Sequence, residues 1–341
     1  MAETVGIEIR RLYKIFGPQP DKCMALVAEG VGKDELRDQH GHVLGLRDVN
    51  LDIAAGQIQV IMGLSGSGKS TLVRHINRLI EPTSGQVWVG GEDVLSMTPR
   101  QLRNFRRKRT AMVFQKFALF PHFTIMENVE YGLRIQGVRR KVRQEQASRW
   151  IERVGLKGYE DHYPNQLSGG MQQRVGLARA LTNDAPVLLM DEAFSALDPL
   201  IRSDMQGVLL DIQQEVGKTI VFITHDLDEA LRLGDRIAIL RDGEVVQQGS
   251  AQDILLHPAD DYIRSFVRDV NRGRVIRCRT LVRPGVATSE LKLDAQMVIE
   301  EAARELNAQG LDSANVISSK GKHLGTICMT DIIEAMLPAR D

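Results

Sequence analysis

Short, mostly apolar runs without alternation recur at residues 58–62, 110–114, 187–190, 219–224 and 236–240, each bounded by polar or small residues. Such runs predict strands buried on both faces, as in a parallel sheet covered by helices. Residues 5–16 and 45–53 alternate apolar with polar positions instead, which predicts half-buried strands, the first at a sheet edge. Residues 86–89 and 92–94 flank Gly90-Gly91 and predict a β-hairpin. Helical spacing marks residues 99–107, 125–135, 140–154 and 171–181, with Trp150, Ile151 and Val154 as core positions. A polar insertion at 18–44 separates the first two strands, and its 33–37 centre predicts a short helix. The expected fold is α/β: a mostly parallel sheet core with an antiparallel β-subdomain, its middle third interrupted by a helical subdomain over about 116–182.

Between the run ending at Met62 and the amphipathic stretch from Leu72 stands Gly-Leu-Ser-Gly-Ser-Gly-Lys-Ser-Thr, residues 63–71. Glycines let backbone approach an anion closely, and N–H groups at a helix mouth point positive dipole ends at phosphate oxygens. This GxxxxGK[ST] spacing between strand and helix makes Gly63, Ser65, Gly66, Ser67, Gly68, Lys69, Ser70 and Thr71 a phosphate cradle, with Lys69 on the β- and γ-phosphates of ATP and Ser70 on Mg²⁺. Asp191, after its apolar run, is the expected second Mg²⁺ contact, and Glu192 beside it a general base for the attacking water. Ser168, Gly169 and Gly170 open the helix at 171–181 and form another anion site. In a head-to-tail dimer about a two-fold axis, this turn closes over the nucleotide held by the other copy.

Charge narrows the choice of partners. With 44 basic and 44 acidic residues the chain carries no field favouring nucleic acid, so the basic run at 103–109 reads as a solvated helix end. Cys23, Cys278 and Cys328 lie far apart without metal-ligand spacing, and no apolar run approaches membrane-spanning length. The chain is expected to be soluble and to reach a membrane through a partner.

The cradle, Gln115, Leu-Ser-Gly-Gly-Met-Gln-Gln-Arg at 167–174, the run ending in Asp191-Glu192, Ser-Ala-Leu-Asp at 195–198 and His225 stand in the order that resembles ATP-binding cassette (ABC) proteins, over about residues 5–255. The resemblance implies a P-loop NTPase (RecA-like) core with ATP and Mg²⁺ as ligands. It implies adenine stacking on Phe16, with Tyr13 the alternative, and contact of Gln115 with Mg²⁺ and the attacking water. It further implies that Asp198 couples two sites across a homodimer and that His225 touches the γ-phosphate.

No heptads or cysteine pairs separate Lys69 from Leu167, unlike repair and chromosome ATPases, and a single cassette is present, unlike translation factors. Asn-Arg-Leu-Ile-Glu-Pro at 77–82, Met-Asp-Glu-Ala-Phe-Ser-Ala-Leu-Asp-Pro-Leu-Ile-Arg at 190–202 and His-Asp-Leu-Asp-Glu-Ala at 225–230 resemble the motor subunits of glycine betaine/proline-type importers, as does the insertion at 18–44. That resemblance implies a separate transmembrane permease, a periplasmic or lipid-anchored solute-binding protein reached through it, and a peripheral place on the cytoplasmic face of the membrane. It also implies quaternary amines and related solutes as cargo: betaines, choline, carnitine and trimethylamine N-oxide. The aromatic stretch 116–127 either receives the permease or packs as core.

Within a cassette set at 1–275 and a tail at 281–341, the tail has its own pattern. Residues 291–306 predict a helix, 313–318 a strand, 325–328 a second strand and 330–336 a last helix. This resembles one cystathionine β-synthase-type (CBS) repeat, which normally works as a tandem pair; it is either a dimerising, regulatory module or a packing remnant.

Overall fold

The computed structural model describes residues 4–195, 197–268 and 270–337. The chain folds as two compact units, Met1–Asp226 with Leu233–Gln248, and Leu227–Arg232 with Gly249–Asp341.

The first unit is built on two sheets. Among the described residues, the larger has six strands in the order Glu244–Gly249, Arg236–Arg241, Ile58–Met62, Thr219–Thr224, Val187–Asp191, Thr110–Val113. Ile58–Met62 pairs in parallel with both Thr219–Thr224 and Arg236–Arg241, and Val187–Asp191 pairs in parallel with both Thr110–Val113 and Thr219–Thr224. All five residues of Ile58–Met62 are buried, as a strand covered on both faces requires. The unalternating runs therefore mark this sheet correctly.

The second sheet is antiparallel, ordered Val43–Ile53, Ile7–Phe16, Ser84–Val89, Glu92–Asp93. Ile7–Phe16 lies inside it, bonded to Val43–Ile53 on one side and Ser84–Val89 on the other, and not at the edge as expected. Alternation reports which face of a strand is buried and carries nothing about its lateral neighbours. Helix Lys69–Ile76 packs against strands of both sheets. Leu72, Val73 and Ile76 join Ile7, Leu51, Ile61 and Val221 in one apolar core.

The helical subdomain consists of Ile125–Ile135, Arg140–Arg153 and Gly169–Thr182, with Val129, Ile151 and Val175 fully buried between them. Thr124 starts the first of these helices with a reciprocal cap, its hydroxyl accepting from the Glu127 N–H while the Glu127 carboxylate accepts from the Thr124 N–H. The insertion at 18–44 is ordered. It holds a 3-10 turn, Pro20–Cys23, and helices Met24–Ala28 and Lys33–His40, with Val27 and Leu36 packed on Ile15 and Leu44.

In the second unit, Lys292–Asp294 pairs in parallel with Ser313–Ile317, which pairs antiparallel with His323–Cys328. Helix Ile299–Ala308 begins later than the expected 291, because Leu293 is buried as part of a strand whose short alternation also fits a helical period. The last helix is Met329–Met336. Among the described residues no helix is long and apolar enough to cross a membrane.

Phe222, on Thr219–Thr224, is fully buried with its ring centroid 5.4 Å from that of Phe194. Phe222→Ala is expected to destabilise the first unit by about 3–5 kcal/mol, read as a lowered midpoint in thermal or urea unfolding.

Candidate nucleotide site

At the carboxyl end of Ile58–Met62 the backbone turns sharply into helix Lys69–Ile76. Gly63 has φ 151°, and a Cβ there would fall 2.2 Å from the Leu240 carbonyl oxygen. Gly68 has φ 103°, and a Cβ would meet the Gly45 carbonyl oxygen at 2.6 Å. These two glycines are thus required by close backbone approach. At Gly66, φ 78°, nothing lies within 4 Å of the Cβ direction, so the loop leaves an open concavity there.

Lys69 is buried, and its ammonium donates to the carbonyl oxygens of Gly63 and Leu64 at 2.8 and 2.9 Å. Burial pulls its pKa below the ordinary lysine value, opposed by the carboxylates of Glu192 and Asp191. The Ser67 hydroxyl is buried with no hydrogen-bond partner. An orphaned buried hydroxyl beside an open glycine turn fits a phosphate whose oxygens complete the bonding.

Asp191 is buried at the end of Val187–Asp191; it accepts from the Ser70 hydroxyl at 2.7 Å and from the Arg74 guanidinium at 3.0 Å. Glu192 follows in the left-handed region at φ 47°, which costs a side-chain-bearing residue free energy and persists only where neighbours dictate it. The Glu192 N–H donates to the Ile223 carbonyl at 3.2 Å, and the Ser195 N–H and hydroxyl both donate to the Glu192 carbonyl. The Glu192 carboxylate accepts from Gln115 Nε2 at 2.8 Å, and His225 Nδ1 stands 3.6 Å from its other oxygen. Strand ends far apart in the chain thereby bring Gln115, Asp191, Glu192 and His225 to one edge of the cradle.

A cavity of about 360 Å³ opens here, lined by Phe16, Lys33, Gly45, Gly66, Lys69 and Glu192 among others. Phe16 is exposed at its mouth with the Lys14 ammonium 4.9 Å from the ring centroid. Tyr13, the alternative, packs instead against the core of the insertion. Ser65, Ser70, Thr71 and Gln115 also line the cavity, whereas Ser168, Gly169, Gly170 and Asp198 do not. Ser168 caps helix Gly169–Thr182, its hydroxyl accepting from the Met171 N–H, and Asp198 precedes helix Pro199–Val216. Ala196, between Ser195 and Leu197, lies outside the described residues.

Three contributors escaped the sequence reading. Arg74 braces Asp191. Arg179 donates to the carbonyls of Phe117 and Ala118, both at φ 50°, holding the turn just after Gln115. Lys33 reaches the cavity from the insertion. Only Arg74 had a local signal, since it stands four residues after Ser70 and so shares that residue's face of the helix.

This geometry defines a P-loop nucleoside-triphosphatase cassette, with a helix-mouth anion cradle and a carboxylate pair at adjoining strand ends. Residues 46–195 match the ABC transporter family. The chain is 49% identical to the glycine betaine transport ATP-binding protein OpuAA of Bacillus subtilis, over 98% of this chain and 78% of that one. It is 43% identical to the trimethylamine N-oxide transport system ATP-binding protein TmoW of Ruegeria pomeroyi, over 98% of this chain and 97% of that one. The dimeric structure of the ATP-binding cassette MJ0796 in a post-hydrolysis state, bound to ADP and Pi, superposes with a TM-score of 0.62 at 33% identity, covering 72% of this chain and 98% of that one. The chain belongs to the ATP-binding subunits of ABC transporters, a family of ATP hydrolases.

His75, fully buried on the cradle helix, has Nδ1 2.7 Å from the Thr71 carbonyl oxygen, and burial pushes its imidazole down to about 4. Between pH 7 and 4 the unfolded chain takes up a proton at this residue that the folded chain refuses, so stability falls with acidification through that window, by roughly 3 kcal/mol. His75→Asn keeps a donor but cannot titrate. Its melting temperature should therefore fall less steeply than the wild type's from pH 7 to 4; parallel curves would contradict the assignment.

Proposed function

We propose that two copies of this chain bind two ATP molecules between them and drive an importer for quaternary amines and related solutes. The observation that carries the chemistry is the Glu192 carboxylate, held by Gln115 and beside His225 at the mouth of the cradle. Glu192 takes a proton from the attacking water, an effect typically worth ~10²–10⁴ in rate. His225 contacts the γ-phosphate, and Lys69 with the loop N–H groups holds the phosphates while Phe16 stacks on adenine. Ser70, Gln115 and Asp191 would hold Mg²⁺, which neutralises charge on the β- and γ-phosphates when bound. The tight Ser70–Asp191 pair, with Asp191 otherwise buried, supports that donor set.

Ser168, Gly169 and Gly170 lie off the cavity of their own chain, which supports their use on the nucleotide of a second copy, with Asp198 coupling the two sites. Residues 116–127 form the surface for a transmembrane permease on the cytoplasmic face of the membrane, and a solute-binding protein delivers cargo to that permease. The names of the relatives support betaines, choline and trimethylamine N-oxide as the solute class.

Glu192→Gln should bind ATP with wild-type affinity, lose turnover by at least ~10²-fold, and accumulate as a dimer on size exclusion with ATP. Near wild-type hydrolysis by this variant would refute the base assignment. Uptake of radiolabelled glycine betaine, choline and trimethylamine N-oxide by the complex reconstituted with its permease tests the cargo.

Within the second unit we take residues 281–341 as one CBS-like repeat that pairs with its twin in the other copy; residues 338–341 lie outside the described part. The exposure of Ile333 and Leu337 on and after the last helix supports a paired face. Ile333→Glu should change the salt dependence of ATP hydrolysis while leaving the low-salt rate intact. An unchanged salt profile would leave the repeat a packing element.

A further inference from the structure

We propose that Lys33, carried by the insertion, contacts the phosphates of the nucleotide held by the cradle, making the insertion a part of the nucleotide site. This rests on the reading of residues 63–71 as that cradle. Lys33 opens helix Lys33–His40 and lines the same cavity as Phe16, Gly66 and Lys69. Its ammonium lies 3.4 Å from the Gly66 carbonyl oxygen and 3.3 Å from Asp242 Oδ1. Gly66 is the loop residue whose outward side is open. Lys33 and Lys69 thus both donate to carbonyls of one loop, and the cavity between is bordered by two cations.

The amine is a positioned charge on a packed platform. Leu36, one turn along the same helix, is fully buried against Ile15, Val27 and Leu44. His42 fastens the two ends of the insertion, its ring nitrogens 2.5 and 2.7 Å from the carbonyl oxygens of His40 and Pro18. Arg47 donates to the Val27 carbonyl at 3.4 Å. The partner that Lys33 has in the structure is weak by comparison, because the Asp242 side chain is 70% exposed and exposed ion pairs contribute little. A polyphosphate offers more charge at the same rim, so exchange of Asp242 for phosphate favours binding.

The test compares Lys33→Ala, Asp242→Asn and Lys69→Ala by titration calorimetry with ATP and with adenosine, in the full chain. If Lys33 touches phosphate, Lys33→Ala weakens ATP about tenfold and leaves adenosine unaffected, while its log Kd rises less steeply with salt. Asp242→Asn, which frees the amine and suits the left-handed backbone at φ 50°, then leaves ATP binding equal or tighter. If the ion pair only fastens the insertion, Asp242→Asn and Lys33→Ala weaken ATP alike, and the proposal falls. If Lys33→Ala changes nothing while Lys69→Ala abolishes binding, the proposal falls and the cradle stands. If Lys69→Ala also binds normally, the cradle reading itself is wrong. Acetylation of Lys33 in the wild-type protein gives a check that needs no variant: ATP should protect it and adenosine should not, and equal labelling with both overturns the contact.

Discussion

Everything at the nucleotide site depends on the close passage of backbone past backbone where strand Ile58–Met62 becomes helix Lys69–Ile76. The strand is buried on both faces and clamped between parallel neighbours, so its end point is rigid. The turn can close only because Gly63 and Gly68 have no Cβ to strike the Leu240 and Gly45 carbonyls. Those carbonyls belong to both sheets, so the loop is pinned from two sides. The same helix that ends this turn also supplies Leu72, Val73 and Ile76 to the core between the sheets. Core packing and the shape of the loop are therefore set together.

Around that pinned loop the chemistry is assembled from strand ends. Parallel strands that finish side by side deliver Gln115, Asp191 with Glu192, and His225 to one edge, although they are distant in sequence. The strained backbone of Glu192 is held by bonds from Ser195 and to Ile223, and Arg179 holds the equally strained turn after Gln115. The site is thus stiffened from its surroundings by groups that never face the cavity. The insertion adds a further wall, ordered by a small core of its own around Leu36.

Much of this was legible in the residues because the signals are local. Unalternating apolar runs marked the parallel strands, and the Gly-rich stretch before Lys69 marked the cradle, since strand burial and glycine spacing are properties of a few consecutive residues. Helix Ile125–Ile135 began where Thr124 and Glu127 announce a reciprocal cap. Where two periods fit the same short stretch, as at residues 291–298, the pattern could not separate a strand plus turn from an early helix start. The lateral place of Ile7–Phe16 was equally invisible, because both neighbours are chosen by long-range pairing.

The sequence by itself determined the class of chemistry: a phosphate cradle, a carboxylate pair, and the order of motifs that goes with them. It did so because each motif is a contiguous run whose spacing matches a backbone turn. Tertiary structure alone decided which side chains meet: Arg74 on Asp191, Gln115 on Glu192, Phe16 rather than Tyr13 at the cavity, and Lys33 beside Gly66. These contacts join residues from different strands and from an insertion whose polar pattern carries no chemistry of its own. Their distances are set by how two sheets and a helix pack, which no run of neighbouring residues encodes.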